Sequence, residues 1–206
     1  MTTRGIRWLS ECEWHFGVTF AHGITAEELA GRLGAVPGSR PSVTANAAIM
    51  LLTDADVGVA RIGEAEGWAF AVEYGESHGT RHDALKKVSR GEVTAVNLDP
   101  QAFHPPPMFS CAVDDDLVCS FGLGEEWRRW GTDPDLLQVE FEDAGIILPG
   151  GEYLETSGDR YSQRIALSLG VVETRFGLSL PRDQVLDGTL PLAVISGEPS
   201  LDTLDI

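Results

Sequence analysis

The chain has 206 residues with 32 acidic and 15 basic side chains, a formal net charge of −17 at pH 7 and a sequence pI of about 4.5. A hydrophobic fraction of 43% is enough for one buried core and argues against disorder. The charge disfavours nucleic acid and anionic membrane as partners, since both are held by clustered Lys and Arg.

The charge is uneven. Residues 1–100 carry 13 acidic and 9 basic side chains, and residues 101–206 carry 19 and 6. A basic protein partner, steered by charge, therefore meets the second half first. Cys12, Cys111 and Cys119 are odd in number and lack a CxxC spacing, so no disulfide framework is expected and a reducing cytoplasm is the expected compartment. No signal-peptide h-region and no run of 18 apolar residues stands out.

In chain order, residues 7–16 place Trp8, Cys12 and His15/Phe16 at helical spacing, so a short helix is predicted there. Thr25 followed by Glu28 is a capping-box pattern for a helix running to about Leu33, with Gly34 as its stop. Residues 36–42 read as loop. Thr44 can cap a helix over 45–52, but so short an apolar run also suits a buried strand.

Residues 57–62 and 68–73 are the centre of the pattern. Both alternate with period two, the strand period. In the second, Trp68, Phe70 and Val72 make a large face, and Ala69 and Ala71 a small one where a helix can approach closely. The five residues 63–67, with glycine at both ends, predict a long hairpin loop.

A helix is predicted over 82–90, with Lys86, Lys87 and Arg90 near its C-terminus, where positive charge suits the helix dipole. A strand follows over 92–98. The prolines of 104–107 mark a connection. Residues 108–112 and 117–121 predict a second hairpin around Asp114, Asp115 and Asp116. This acidic turn lacks the EF-hand spacing and reads as solvated, with no metal. Asp133-Pro134 is a helix-start pair with Gly145 as the stop. A last long helix is expected over 159–172, with Ile165, Ala166, Leu169 and Val172 inward and Arg160, Gln163 and Arg164 outward. Residues 181–186 form a short helical turn, and 198–206 read as a loose acidic tail.

These elements predict a single α+β domain over 1–206: a mostly antiparallel sheet with helices on at least one face. No linker or repeat divides it.

Chemistry-bearing patterns are sparse. His78 and His82 stand four apart, the spacing of one helix face, without a third ligand nearby for zinc. Trp127, Arg128, Arg129 and Trp130 alternate aromatic and guanidinium groups, the residue types favoured as binding anchors. No catalytic signature and no cofactor motif is present, so catalysis is not the expected role.

Several stretches resemble the DUF6461 family, a mostly actinobacterial family of unknown function. They are the Trp8 to Cys12 region, GITAEE at 23–28, VGVARIG at 57–63 with Trp68, LKKVSRG at 85–91, FSCAVDDDLVCSF at 109–121 and RWGTDPD at 129–135. The resemblance covers roughly residues 5–190 and implies no activity and no residue role. The expectation is a non-enzymatic protein-binding or regulatory protein, immunity- or antitoxin-like in its specific form. The alternative is a small-molecule binder or enzyme with a pocket near residues 78–82 or 122–131.

Overall fold

The structure, a computed structural model, describes residues 5–38, 40–54, 58–75, 77–101, 105–154 and 161–196. Val57, His104, Asp159, Arg160 and the 198–206 tail, all named above, lie outside the described residues.

Eight strands form one antiparallel sheet: β1 (Gly17–His22), β2 (Ser42–Val43), β3 (Gly58–Ala65), β4 (Trp68–Tyr74), β5 (Thr94–Asp99), β6 (Met108–Val113), β7 (Asp116–Gly122) and β8 (Leu190–Ser196). Their order is β2-β8-β3-β4-β1-β5-β6-β7. The domain is α+β, as its pattern of elements predicts, and helices cover both faces.

The alternation in β4 sorts the two layers. Trp68, Phe70 and Val72 join Phe20, Val96, Phe109, Cys111, Cys119 and Phe121 in an aromatic layer. Against it lie α5 (Tyr161–Phe176), α4 (Gln138–Asp143), α6 (Arg182–Leu186) and the 3-10 turn Arg7–Glu11. Ala69 and Ala71 join Ala21, Ala60, Ala95, Ala112 and Ala193 on the other face. With only methyl groups in the way, α1 (Ala26–Arg32) and α3 (His82–Val88) seat Leu29, Leu85 and Val88 directly on the sheet.

Local capping follows the sequence in part. Thr25 Oγ1 accepts from Glu28 N at 3.2 Å, as predicted. The reciprocal half of the box is absent: Glu28 pairs with Arg32, and Glu64 of β3 accepts from Ala26 N instead. Thr44 caps α2 (Ala45–Met50), which resolves that stretch as helix. Arg32 reaches across to the C-terminal carbonyls of Val88 and Arg90 at 2.7 and 2.6 Å, and Arg90 pairs with Asp115. Of the basic cluster at the end of α3, the Arg90 side chain thus ties α3 to the β6–β7 turn, while Arg32 of α1 binds the carbonyls there.

Several expectations are corrected. Residues 7–16 form only the 3-10 turn Arg7–Glu11, and the chain then enters β1, a central strand that the helical spacing concealed. The first hairpin loop has two residues. Ala65 pairs with Trp68, and Glu66 and Gly67 take φ of 48° and 83°. Two successive left-handed residues match the twist of the strands they join, and glycine at the second position makes that turn cheap. Asp114 and Asp115 form the second hairpin turn with φ of 48° and 68°. A bulge between Cys111 and Ala112 pairs Leu117 with Ala112, so Leu117 leaves the face of Cys119 and packs under α3's layer. Asp133-Pro134 does not open α4, which starts at Gln138; Asp135 is drawn instead to Arg129. α5 runs on to Phe176, and Arg164 points inward, 6% exposed, while Ala166 is only partly buried.

Among the described residues no helix is long and apolar enough to cross a membrane.

Candidate functional site

The six residues singled out by type fall into three different environments. His78 lies on the 3-10 turn His78–Thr80, and α3 begins only at His82. The two histidines therefore do not share a helix face, which corrects the i, i+4 reading.

His78 belongs to a buried polar cluster on the alanine face. Its backbone N–H donates to Glu73 Oε2 at 2.6 Å, and Gly79 N–H donates to the same carboxylate. Thr19 Oγ1 donates to Glu73 Oε1 at 2.7 Å and accepts from Asn97 Nδ2 at 3.0 Å. Burial pushes the Glu73 carboxyl above the ordinary carboxylate range, against those hydrogen bonds. A group whose folded pKa is raised contributes stability fully present below its unfolded pKa and lost as pH rises through the folded one. Glu73→Gln keeps both backbone donors on Oε1 and lets Nε2 donate to Thr19. The expected result is a variant whose stability advantage over wild type grows as pH rises above the ordinary carboxylate range, read from urea denaturation at several pH values. A constant difference across pH would disprove the assignment.

Trp127 turns inward. Its ring meets Tyr153 edge-on at 4.4 Å, and the Arg164 guanidinium lies 5.3 Å over it. Behind it, fully buried Glu126 accepts from Gly124 N at 2.5 Å and from Ser168 Oγ, and pairs with Arg164 at 3.7 Å. Burial raises the Glu126 pKa. Trp127 thus closes a buried ion pair. Arg129 is also structural: its side chain is 10% exposed and binds Asp135 at 2.6 Å, Gln138 at 2.5 Å and the Gly151 carbonyl at 3.3 Å.

Trp130, Arg128 and His82 face outward. The backbone of Trp130 exchanges two hydrogen bonds with Ser120 of the outermost strand β7, at 2.8 and 2.9 Å, and Thr132 and Asp133 donate to Leu117 and Val118. This segment covers the sheet edge and blocks strand addition there. The Trp130 ring is 42% exposed and lies 6.5 Å from the His82 ring. Arg128 pairs loosely with Glu125 at 3.5 Å. On β7, its hairpin turn and the edge segment, Asp114, Asp116 and Asp133 are exposed and make no ion pair among the described residues, whereas Asp83 of α3 and Asp135 are held by Arg81 and Arg129. The result is an exposed aromatic ring on a sheet edge that also bears exposed carboxylates.

Among the described residues no group of three His, Cys, Asp or Glu side chains is placed to hold a metal. The thiols of Cys111 and Cys119 are buried and pushed up to about 12, mainly by desolvation, so neither supplies a thiolate at neutral pH.

Four buried charged residues escaped the sequence reading: Arg61, Glu73, Glu126 and Arg164. For Arg61 and Glu73 a signal existed, since each interrupts an apolar run (VGVARI and WAFAVEY). A lone charge inside an alternating strand is a buried polar anchor when both sheet faces are covered, and only the fold reveals that they are.

An α+β domain with helices on both faces of one antiparallel sheet is the class that these observations define. The chain belongs to DUF6461, a family of unknown function, whose model matches residues 2–173. No curated protein and no solved structure matches it.

Proposed function

We propose that the protein acts by binding rather than catalysis, and that the edge around Trp130 receives a basic segment of a protein partner. An immunity- or antitoxin-like role is the specific form of this reading. The observation that carries it is the exposed Trp130 ring, whose backbone is held on the β7 edge by two hydrogen bonds, on an edge that also carries the exposed Asp116 and Asp133. An aromatic anchor carried on backbone already bonded to the sheet needs no backbone ordering on binding. Surplus negative charge in residues 101–206 supplies steering for a basic partner and repels nucleic acid and anionic membrane. Three free thiols, two of them buried, favour a reducing cytoplasm. Spent ionisable groups favour binding over chemistry: Glu73 and Glu126 are occupied by internal donors, and the buried thiols stay protonated.

The test is affinity capture from cells of the protein's own source at low and physiological salt, with wild type and Trp130→Ala side by side. The expected result is a basic partner retained at low salt and reduced at least ~tenfold by Trp130→Ala, since truncating an aromatic anchor costs about 2 kcal/mol or more. Trp130→Ala leaves the backbone bonds to Ser120 intact. A partner held equally by the variant, or a capture indifferent to salt, would overturn the reading.

A further inference from the structure

The aromatic face of the sheet carries a cleft that the exposed Trp130 side chain does not line. It opens where the ends of β1, β4, β5 and β6 meet the C-terminal end of α5, and its volume is about 480 Å³. That is the size of a site for one small molecule.

The lining has two parts. Trp68, Cys111 and Phe176 make an apolar floor and wall. The Trp68 indole is locked: its Nε1 donates to the Phe176 carbonyl at 3.1 Å, and its ring stands edge-on to Phe20 at 6.5 Å. His22 packs against the same indole at 5.3 Å. Strand register fixes the polar rim, because Thr94 of β5 pairs with His22 of β1. Arg175 completes the rim from α5. Its Nε lies 3.3 Å from Glu140, and no hydrogen bond engages its Nη atoms among the described residues. A half-exposed guanidinium with two Nη groups open is a fork for a carboxylate.

We infer that this cleft binds a small monocarboxylate with a flat apolar body, the body lying on Trp68 and Phe176 and the carboxylate meeting Arg175. Thr94 and His22 supply the remaining hydrogen-bonding groups at the rim. Glu140 already takes the Nε side of Arg175, which leaves one guanidinium edge and so one carboxylate's worth of fork for the ligand. Cys111 beneath the ligand stays a neutral thiol, so the site holds its ligand without attacking it.

Three probes of one shape separate the contributions: 3-phenylpropanoate, 3-phenylpropanamide and 3-phenylpropylamine. They are titrated by saturation-transfer NMR against the full chain and against Arg175→Gln. Because Arg175 is half exposed, this variant retains the fold, which its thermal melt verifies. The expected result is binding of the carboxylate with Kd below ~1 mM, about −4 kcal/mol, and at least ~tenfold weaker binding of the amide and the amine. Arg175→Gln is expected to bring the carboxylate to the level of the amide, a loss of at least ~tenfold. Equal binding of all three probes, unchanged binding by Arg175→Gln, or no binding of the carboxylate at ~10 mM would each overturn the inference. The outcome is independent of Trp130, so failure of one site leaves the other standing.

Discussion

Gly79→Ala is expected to lower stability by about 3–5 kcal/mol and the melting temperature by roughly 10 °C, through overpacking and loss of a buried polar cluster. The physical reason is a close approach. A Cβ at position 79 lands on Thr19 Oγ1, 2.8 Å from Asn97 Nδ2 and 2.9 Å from Glu73 Oε1. None of these atoms can retreat freely. Thr19 and Asn97 stand on the adjacent strands β1 and β5, and Glu73 holds the His78–Gly79 backbone by its own hydrogen bonds. The Ala variant must therefore push the 3-10 turn off the sheet, leaving the Glu73 carboxylate buried without its donors. Thr19→Ala in the same background removes the worst overlap. The double variant is expected to be destabilised by clearly less than the sum of the two single changes, because the sites share one contact. Urea denaturation of the four proteins checks this. Additive losses would show that the 3-10 turn yields without disturbing Thr19.

Arg61→Met is expected to cost about 3–5 kcal/mol, the range for leaving buried polar partners without their charge. Arg61 is wholly buried at the centre of β3. Its Nη1 donates to Tyr74 Oη and the Val185 carbonyl, both at 2.8 Å, and its Nη2 to the carbonyls of Gln184 and Gly188 at 3.0 and 2.9 Å. These are the free carbonyls at the C-terminal end of α6, where a cation is favoured by both hydrogen bonding and the helix dipole. Methionine keeps much of the apolar stem and removes all four bonds. Arg61→Lys is expected to recover only part of the loss, because one ammonium cannot reproduce a planar fork aimed at two sides. Hydrogen exchange of the amides in α6 is the sensitive readout: both variants should exchange faster there than in α1. Protection of α6 equal to wild type in Arg61→Met would refute the capping role.

Much of the architecture was legible in local pattern. The alternation of Trp68, Phe70 and Val72 with Ala69 and Ala71 predicted two unlike faces, and both exist as separate layers. Thr25 and the 181–186 turn marked α1 and α6 where they occur, whereas the stretch after Thr44 suits helix and strand alike until its cap decides for helix. Such features rest on neighbours within four residues, so spacing alone reports them. β1 was hidden because Trp8, Cys12 and Phe16 share helical spacing, while GVTFAH is too short and too apolar to declare its period. β8 was hidden for a similar reason: LPLAVIS is short and nearly all apolar, and only the pairing of β3 and β2 with its two sides makes it a strand.

Of the candidate site, residue type named Trp127 and Trp130 together, and the fold separated them. One closes over the Glu126–Arg164 pair, and the other stands on the sheet edge beside His82. By itself the sequence determined the acidic charge, the two-faced strands, the helix caps and the family. Only the tertiary structure decided which charges are buried, that Gly79 touches Thr19, and that His22, Trp68, Thr94 and Arg175 meet around one cleft. The reason is range. Caps and periodicity arise from contacts a few residues apart, whereas a buried charge or a cleft is made by strand pairing and layer packing between segments as distant as residues 22 and 175.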